Sequence, residues 1–128
     1  MGIITLTSDL GHRDFYVAAV KASILSQAPQ ATIVDISHEV RSFDINAASF
    51  VLRNVWRYFP IGTVHIIGVN PDLTARTPHV AIHYMGHFFV GADNGIFALL
   101  FNEEPEDIVE ITLPQGEDWT FPMKGVFS

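Results

Sequence analysis

Cysteine is absent from these 128 residues, which removes disulfide frameworks and thiolate chemistry from consideration. Basic residues are scarce, with seven Lys and Arg against fourteen Asp and Glu, for a formal charge of −7. Such a surface repels phosphate backbones, and no basic stripe interleaves with aromatics, so nucleic acid is not an expected partner. No apolar run exceeds strand length, so no segment is expected to span a membrane. The start has neither a basic region nor a small-residue cleavage site, so no secretory signal is visible and a cytoplasmic location is expected. Two phosphate-binding signatures are missing too: no G-x-G-x-x-G follows the first strand, and no G-x-x-x-x-G-K-[ST] occurs anywhere. A nucleoside without a polyphosphate would need neither loop.

What is present reads as one globular domain. Apolar residues make up 48% and charged residues 16%, in a chain long enough to close a core. Ile3-Ile4-Thr5-Leu6-Thr7 is β-branched and apolar on both faces, as a buried strand should be, and stops at Ser8-Asp9-Leu10-Gly11. Asp14 is placed to cap a helix over about 15–28, with Val17, Val20, Ile24 and Ala28 at helical spacing and Pro29 ending it. A second buried strand spans 31–36. A second helix starts near Phe43 or Asp44, carries Ile45, Ala48, Val51, Leu52, Val55 and Trp56, and ends at Pro60-Ile61-Gly62. The third strand spans 63–69. Strand-helix alternation implies a mostly parallel α/β sheet with right-handed crossovers and flanking helices. The second half differs: strands over 79–84 and 87–92, joined by Met85-Gly86, predict an antiparallel hairpin. A short helix over 96–100, a strand near 108–113 and a polar tail complete the pattern.

In such a sheet, ligands bind beyond the carboxyl ends of the strands. Asp9 and Asp14, residues 35–43, Asn70-Pro71-Asp72, and Asp93-Asn94 all fall there. A loop carboxylate can accept both hydroxyls of a ribose, since two adjacent O–H donors match two carboxylate oxygens. Asp9 is therefore either a ligand residue or a turn residue, and Asp14 is most simply a helix cap. Phe43 either stacks on a purine or acts as a hydrophobic staple at the helix start. His79, His83 and His87 have helical spacing, but their segment alternates like a strand broken at Gly86, so they are not expected to converge on a metal. His38 sits on a sheet-end loop, where bonding to local backbone is its expected role. No Ser/His/Asp nucleophile set is visible from spacing.

Taken in series, the blocks resemble the S-adenosylmethionine hydroxide adenosyltransferase family, which includes fluorinases and chlorinases. The similarity begins at Thr7-Ser8-Asp9-Leu10-Gly11 and runs through Asp14-x-Tyr16-Val17 and Lys21. It continues through Pro29-x-Ala31-x-Ile33-Val34-Asp35-Ile36-Ser37-His38, Phe43-Asp44-Ile45-x-x-Ala48, Tyr58-Phe59-Pro60-x-Gly62-Thr63-Val64-His65 and Asp93-Asn94-Gly95. The resemblance implies an amino-terminal adenosyl-binding domain over 1–128, whose partner β-barrel domain is not in this sequence. The apolar ending at Phe127-Ser128 is expected to continue into a longer protein. A homotrimer with sites between subunits is implied, as is hydrolysis of S-adenosylmethionine at the ribose C5′ to adenosine and methionine, with no cofactor and no metal. Carried across, Asp9 would hold the ribose. Asp14, Phe15, Tyr16 and Phe43 would line the pocket, with Asp93 and Asn94 in a further ligand turn. Asn70 stands where hydroxide-transferring members carry Asp, Thr77 where they carry Arg, and Phe121-Pro122-Met123-Lys124-Gly125 where they carry a His phrase. Asp72 and Arg76 would be shifted replacements. That substitution keeps open a second reading, an adenosyl-binding or sensor protein without the chemistry, beside a purely structural domain.

Overall fold

The structure, a computed structural model, describes residues 2–12, 14–42, 44–69 and 78–111. Six strands form one sheet in the order β2-β1-β3-β5-β4-β6. The parallel part consists of β1 (Ile3–Ser8), β2 (Thr32–Ser37), β3 (Val64–Gly68) and β5 (His87–Ala92). β4 (His79–Tyr84) is antiparallel to both β5 and β6 (Asp107–Ile111). The expected architecture holds: a mostly parallel sheet with an antiparallel second half.

The chain steps from β1 to β2 on one side, then returns past β1 to β3 on the other. Right-handed crossovers therefore place α1 (Tyr16–Gln27) and α2 (Ile45–Arg53) on opposite faces of the sheet. On the α1 face, Val20 and Ile24 pack on Leu6 and Ile66, with Ile4, Ile33, Val64 and Val90 around them. The larger core lies on the other face. Ala48 and Leu52 of α2, Trp56 of a 3-10 turn (Trp56–Tyr58) and Ile96, Phe97 and Leu100 of α3 (Ile96–Leu100) cover Ile67, Val80, Ile82, Tyr84 and Phe89. Strand alternation divides the two sets: Val80, Ile82 and Tyr84 are buried, while the residues between them are only partly so.

The β4–β5 hairpin has the predicted two-residue turn. Met85 and Gly86 have φ values of 50° and 82°, the left-handed pair such a turn requires. Gly86 is also needed for space, because a Cβ there would lie 2.9 Å from Ile61 Cγ2.

Two helix boundaries differ from expectation. α1 is preceded by Phe15 as its capping residue with no side-chain cap, because Asp14 lies one position too early for its carboxylate to serve the first turn. α2 does start at Asp44, whose Oδ1 accepts the Ala47 N–H at 2.9 Å. It ends at Arg53 rather than near Pro60. There the Asn54 amide Nδ2 donates to the Phe50 carbonyl (2.6 Å), and the backbone tightens to an i→i−3 bond from Asn54 N–H to Val51. Trp56 is still buried at 2% exposure, so the apolar stripe continues past the end of the helix.

Candidate functional site

The order β2-β1-β3 makes a topological switch point between β1 and β3, since the chain goes on from β1 to β2 on one side and from β3 to β4 on the other. The crevice beyond their carboxyl ends is where open α/β sheets bind ligands. Pairing of Ser8 with Gly68 and of Thr7 with Ser37 brings three loops to this end: the one after β1, the one after β2 and the one after β3. Asn70, Asp72 and Arg76, together with Phe43, lie outside the described residues, as does the Phe121–Gly125 phrase. The described part of the site is therefore built by the β1 and β2 loops and the start of α1.

Asp9 follows β1 directly and is half-buried. Gly11, with φ 75°, turns the chain, and its N–H donates to the His38 carbonyl at 2.7 Å. Asp14 is exposed, and Phe15 is 68% exposed with its ring 4.8 Å from that of Tyr16. An exposed aromatic face of this kind is suited to stacking.

Beneath this turn lies a chain of side chains from four elements. Lys21 Nζ on α1 donates to Asp35 Oδ2 at 2.6 Å, and Asp35 Oδ1 accepts from His38 Nε2 at 2.7 Å. His38 Nδ1 meets Ser8 Oγ at 2.5 Å, and Ser8 Oγ accepts the Leu10 N–H at 3.3 Å. Burial pushes the Asp35 carboxyl upward, but the bonds from Lys21 and His38 outweigh it and hold its pKa below the usual value. An ionised carboxylate only accepts, so Nε2 carries a proton. In the neutral ring, Nδ1 is then the acceptor for the Ser8 hydroxyl. His38 is 1% exposed and Ser8 0%. The expectation that His38 bonds local backbone is thus corrected: its ring bonds two side chains, Ser8 and Asp35. At the surface, His12 Nδ1 lies 2.9 Å from Glu39 Oε1, a second stitch between the two loops.

Asp93 and Asn94 lie at the same sheet end, beyond β5. Asn94 Nδ2 donates to the Val69 carbonyl at 2.7 Å, and its Oδ1 accepts the Ile96 N–H at 3.2 Å. This side chain ties the end of β3 to the start of α3. Asp93 lines a hollow of about 340 Å³ with Phe97, Phe101, Glu103 and Ile108, which contains none of the other expected ligand residues.

A second histidine cluster was not foreseen. Thr5 Oγ1 lies 2.7 Å from His65 Nδ1, and His65 Nε2 lies 3.1 Å from His87 Nδ1, under the ring of Trp56. Burial, then the neighbouring His87, lowers the His65 pKa to about 4, and burial lowers that of His87. The pair spans the middle of β3 and the start of β5, remote from the loop end. His79 and His83 alternate onto the opposite face from His87, so the three do not converge. Among the described residues, no three His, Asp or Glu side chains gather as a metal site.

Comparison with known proteins agrees with this fold. The family model described as the SAM hydroxide adenosyltransferase N-terminal domain matches residues 4–128. An (R)-S-adenosyl-L-methionine hydrolase of Methanocaldococcus jannaschii is 37% identical over 102 residues, covering 76% of this chain and 38% of that protein. A fluorinase of an Actinoplanes species is 36% identical over 80 residues, covering 62% of this chain and 27% of its own length. A crystal structure of a conserved protein from Thermotoga maritima superposes with a TM-score of 0.88 at 30% identity, covering 98% of this chain and 50% of that one. The chain thus spans half or less of the length of each.

Proposed function

The chain belongs to the SAM hydroxide adenosyltransferase family, as its N-terminal domain, and from that premise we propose that it forms the adenosyl-binding half of an S-adenosylmethionine hydrolase. The observation that supports this most directly is the Asp9 turn, held at the switch point of the sheet by the buried Ser8–His38 bond. Asp9 offers two acceptor oxygens to the ribose 2′- and 3′-hydroxyls. Phe15 and Tyr16 supply aromatic area beside it, and Asp14 lines the same rim.

The reaction is displacement at C5′. A water oxygen forms a bond to C5′ as the C5′–S bond breaks, and the bonding pair neutralises the sulfonium, releasing methionine. The water proton leaves to solvent or a nearby base, giving adenosine. The protein's contribution is alignment of the water with the C5′–S axis and exclusion of bulk solvent. Asn70, Asp72 and Arg76 are the proposed nucleophile-side residues, and a homotrimer of the full-length protein is the proposed assembly.

A second reading is favoured by one observation. Asn70, Thr77 and Phe121-Pro122-Met123-Lys124-Gly125 replace the residues that the family resemblance assigns to the water. An adenosyl-binding protein without turnover would carry such changes. One experiment separates the readings. The protein at its full natural length is incubated with S-adenosylmethionine, and adenosine and methionine are followed by chromatography. Equimolar products, lost in Asp9→Ala, are expected of the hydrolase. Binding by calorimetry without products selects the second reading, and absence of binding defeats both.

A further inference from the structure

We propose that His38, backed by Asp35 and bonded to Ser8, is a positioning group that aims the Asp9 carboxylate and thereby sets the preference for a ribose 2′-hydroxyl. The proposal rests on the reading that Asp9 accepts the ribose diol, and its test distinguishes the two.

The geometry brackets Asp9 from both sides. The residue before it, Ser8, is bonded through its hydroxyl to His38 Nδ1 at 2.5 Å. The residue after it, Leu10, donates its N–H to that same oxygen at 3.3 Å. One residue further, the Gly11 N–H reaches the His38 carbonyl at 2.7 Å. His38 thus contributes to the turn through both its ring and its backbone. Its ring cannot rotate freely, because Asp35 Oδ1 holds Nε2 at 2.7 Å and Lys21 holds the other Asp35 oxygen. The register between β1 and β2 slips here: Leu6 pairs with Asp35 but Thr7 pairs with Ser37. The extra residue, Ile36, is a bulge of the kind that re-aims side chains beside functional sites.

The order carboxylate, imidazole, hydroxyl resembles that of a nucleophilic serine, but Ser8 is 0% exposed and cannot meet a substrate. Orientation is what remains. Buried at 0% and 1% exposure, Ser8 and His38 have no water to replace a lost partner, so removing either releases the turn. Recognition of a diol by one carboxylate needs both oxygens opposite both hydroxyls, and a displacement of about 1 Å forfeits one of the two bonds. The ratio of dissociation constants for 2′-deoxyadenosine and adenosine therefore reports where Asp9 points. Loss of general stability does not move that ratio.

Calorimetric titration of the full natural-length protein with both nucleosides provides the test. The wild type is expected to prefer adenosine by about tenfold, the worth of one net hydrogen bond, and Asp9→Ala to bring the ratio near one. Ser8→Ala and His38→Gln should each reduce the ratio to within about threefold of one, with Asp35→Asn between them and the wild type. If Asp9→Ala abolishes the preference while Ser8→Ala and Asp35→Asn keep it, the positioning role is overturned and the ribose reading stands. Equal weakening for both nucleosides at an unchanged ratio overturns it likewise, as a purely structural effect. A wild type without preference, or Asp9→Ala retaining it, overturns the ribose reading and this proposal with it. Because Asp35 is partly exposed, Asp35→Asn keeps the test decisive where His38→Gln fails to fold.

Discussion

Two buried histidine chains sit on opposite faces of one sheet and solve the same problem in different ways. At the loop end, His38 is 1% exposed but is supplied with a carboxylate, and that carboxylate with a lysine. In the core, His65 is 0% exposed and bonds Thr5 and a second histidine, with aromatic rings around them. The first sets its ring against a carboxylate that a lysine in turn bonds. In the second, burial and the neighbouring His87 both oppose a charge on His65. One chain is suited to holding a polar turn at a site, and the other to filling a dry core while satisfying its own nitrogens. Histidine burial alone therefore says little about function, and the partners decide.

The comparison breaks most severely if the dry cluster is opened. Trp56 is 2% exposed, and its ring lies 5.0 Å from that of His87 and 5.3 Å from that of Phe89. Trp56→Ala should cost about 3–5 kcal/mol, as large-to-small changes in cores do. Water admitted beside His87 should also relieve the desolvation that lowers its pKa. Urea unfolding at pH 7.5 measures the first effect. An Ala variant within about 1 kcal/mol of the wild type would show that the ring does not seal the cluster.

The next effect is one of pH. His65 titrates at about 4 in the folded chain against 6.5 for the free side chain, so between these values the unfolded chain binds more protons. Its contribution is complete above pH 6.5 and is lost as pH falls toward 4, amounting to roughly 3 kcal/mol. His87 and His79, both lowered by burial, act in the same direction. Unfolding free energy measured from pH 7.5 to 4.5 should therefore fall steeply, and His65→Gln should be less stable at pH 7.5 but visibly flatter. An equal slope in that variant would assign the acid sensitivity elsewhere.

Much of this was legible in the chain itself. Strand-length apolar runs separated by helical spacing gave the parallel core, and Met85-Gly86 between alternating segments gave the hairpin, because both signals are local. Asp44 as a cap was local too. The end of α2 was missed because Val55 and Trp56 extend the apolar stripe, whereas the breaking signal is a single Asn54 side chain bonding back to Phe50. The two histidine chains were out of reach for a different reason: Ser8 and His38 lie 30 residues apart, and Thr5 and His65 lie 60 apart. Such pairs exist only once β1 lies between β2 and β3. A hint was present in His65, a polar residue inside an apolar run of a central strand, which must find a partner on a neighbouring strand. The sheet-end position of Asp9 could be read from sequence; the means by which its turn is held could not.

The smallest effect is expected at the outer end of the His38 chain. Lys21 and Asp35 are bonded at 2.6 Å, but their side chains are 36% and 34% exposed, so water screens the pair. Lys21→Met, which keeps the apolar stem, should cost less than about 1 kcal/mol, and the loss should shrink further in high salt. Asp35, its pKa held below the usual value, contributes stability above the ordinary carboxylate range and loses it as pH falls through the lowered value. The Lys21→Met deficit should therefore be present at neutral pH and fade in strong acid, opposite to a cost arising from lost packing, which persists at every pH. Thermal melts at low and high salt, at pH 7 and at about pH 2, below the lowered Asp35 value, separate the two. A deficit that ignores both salt and pH would mean that Lys21 acts through its stem, leaving Asp35 to orient His38 without help from a cation.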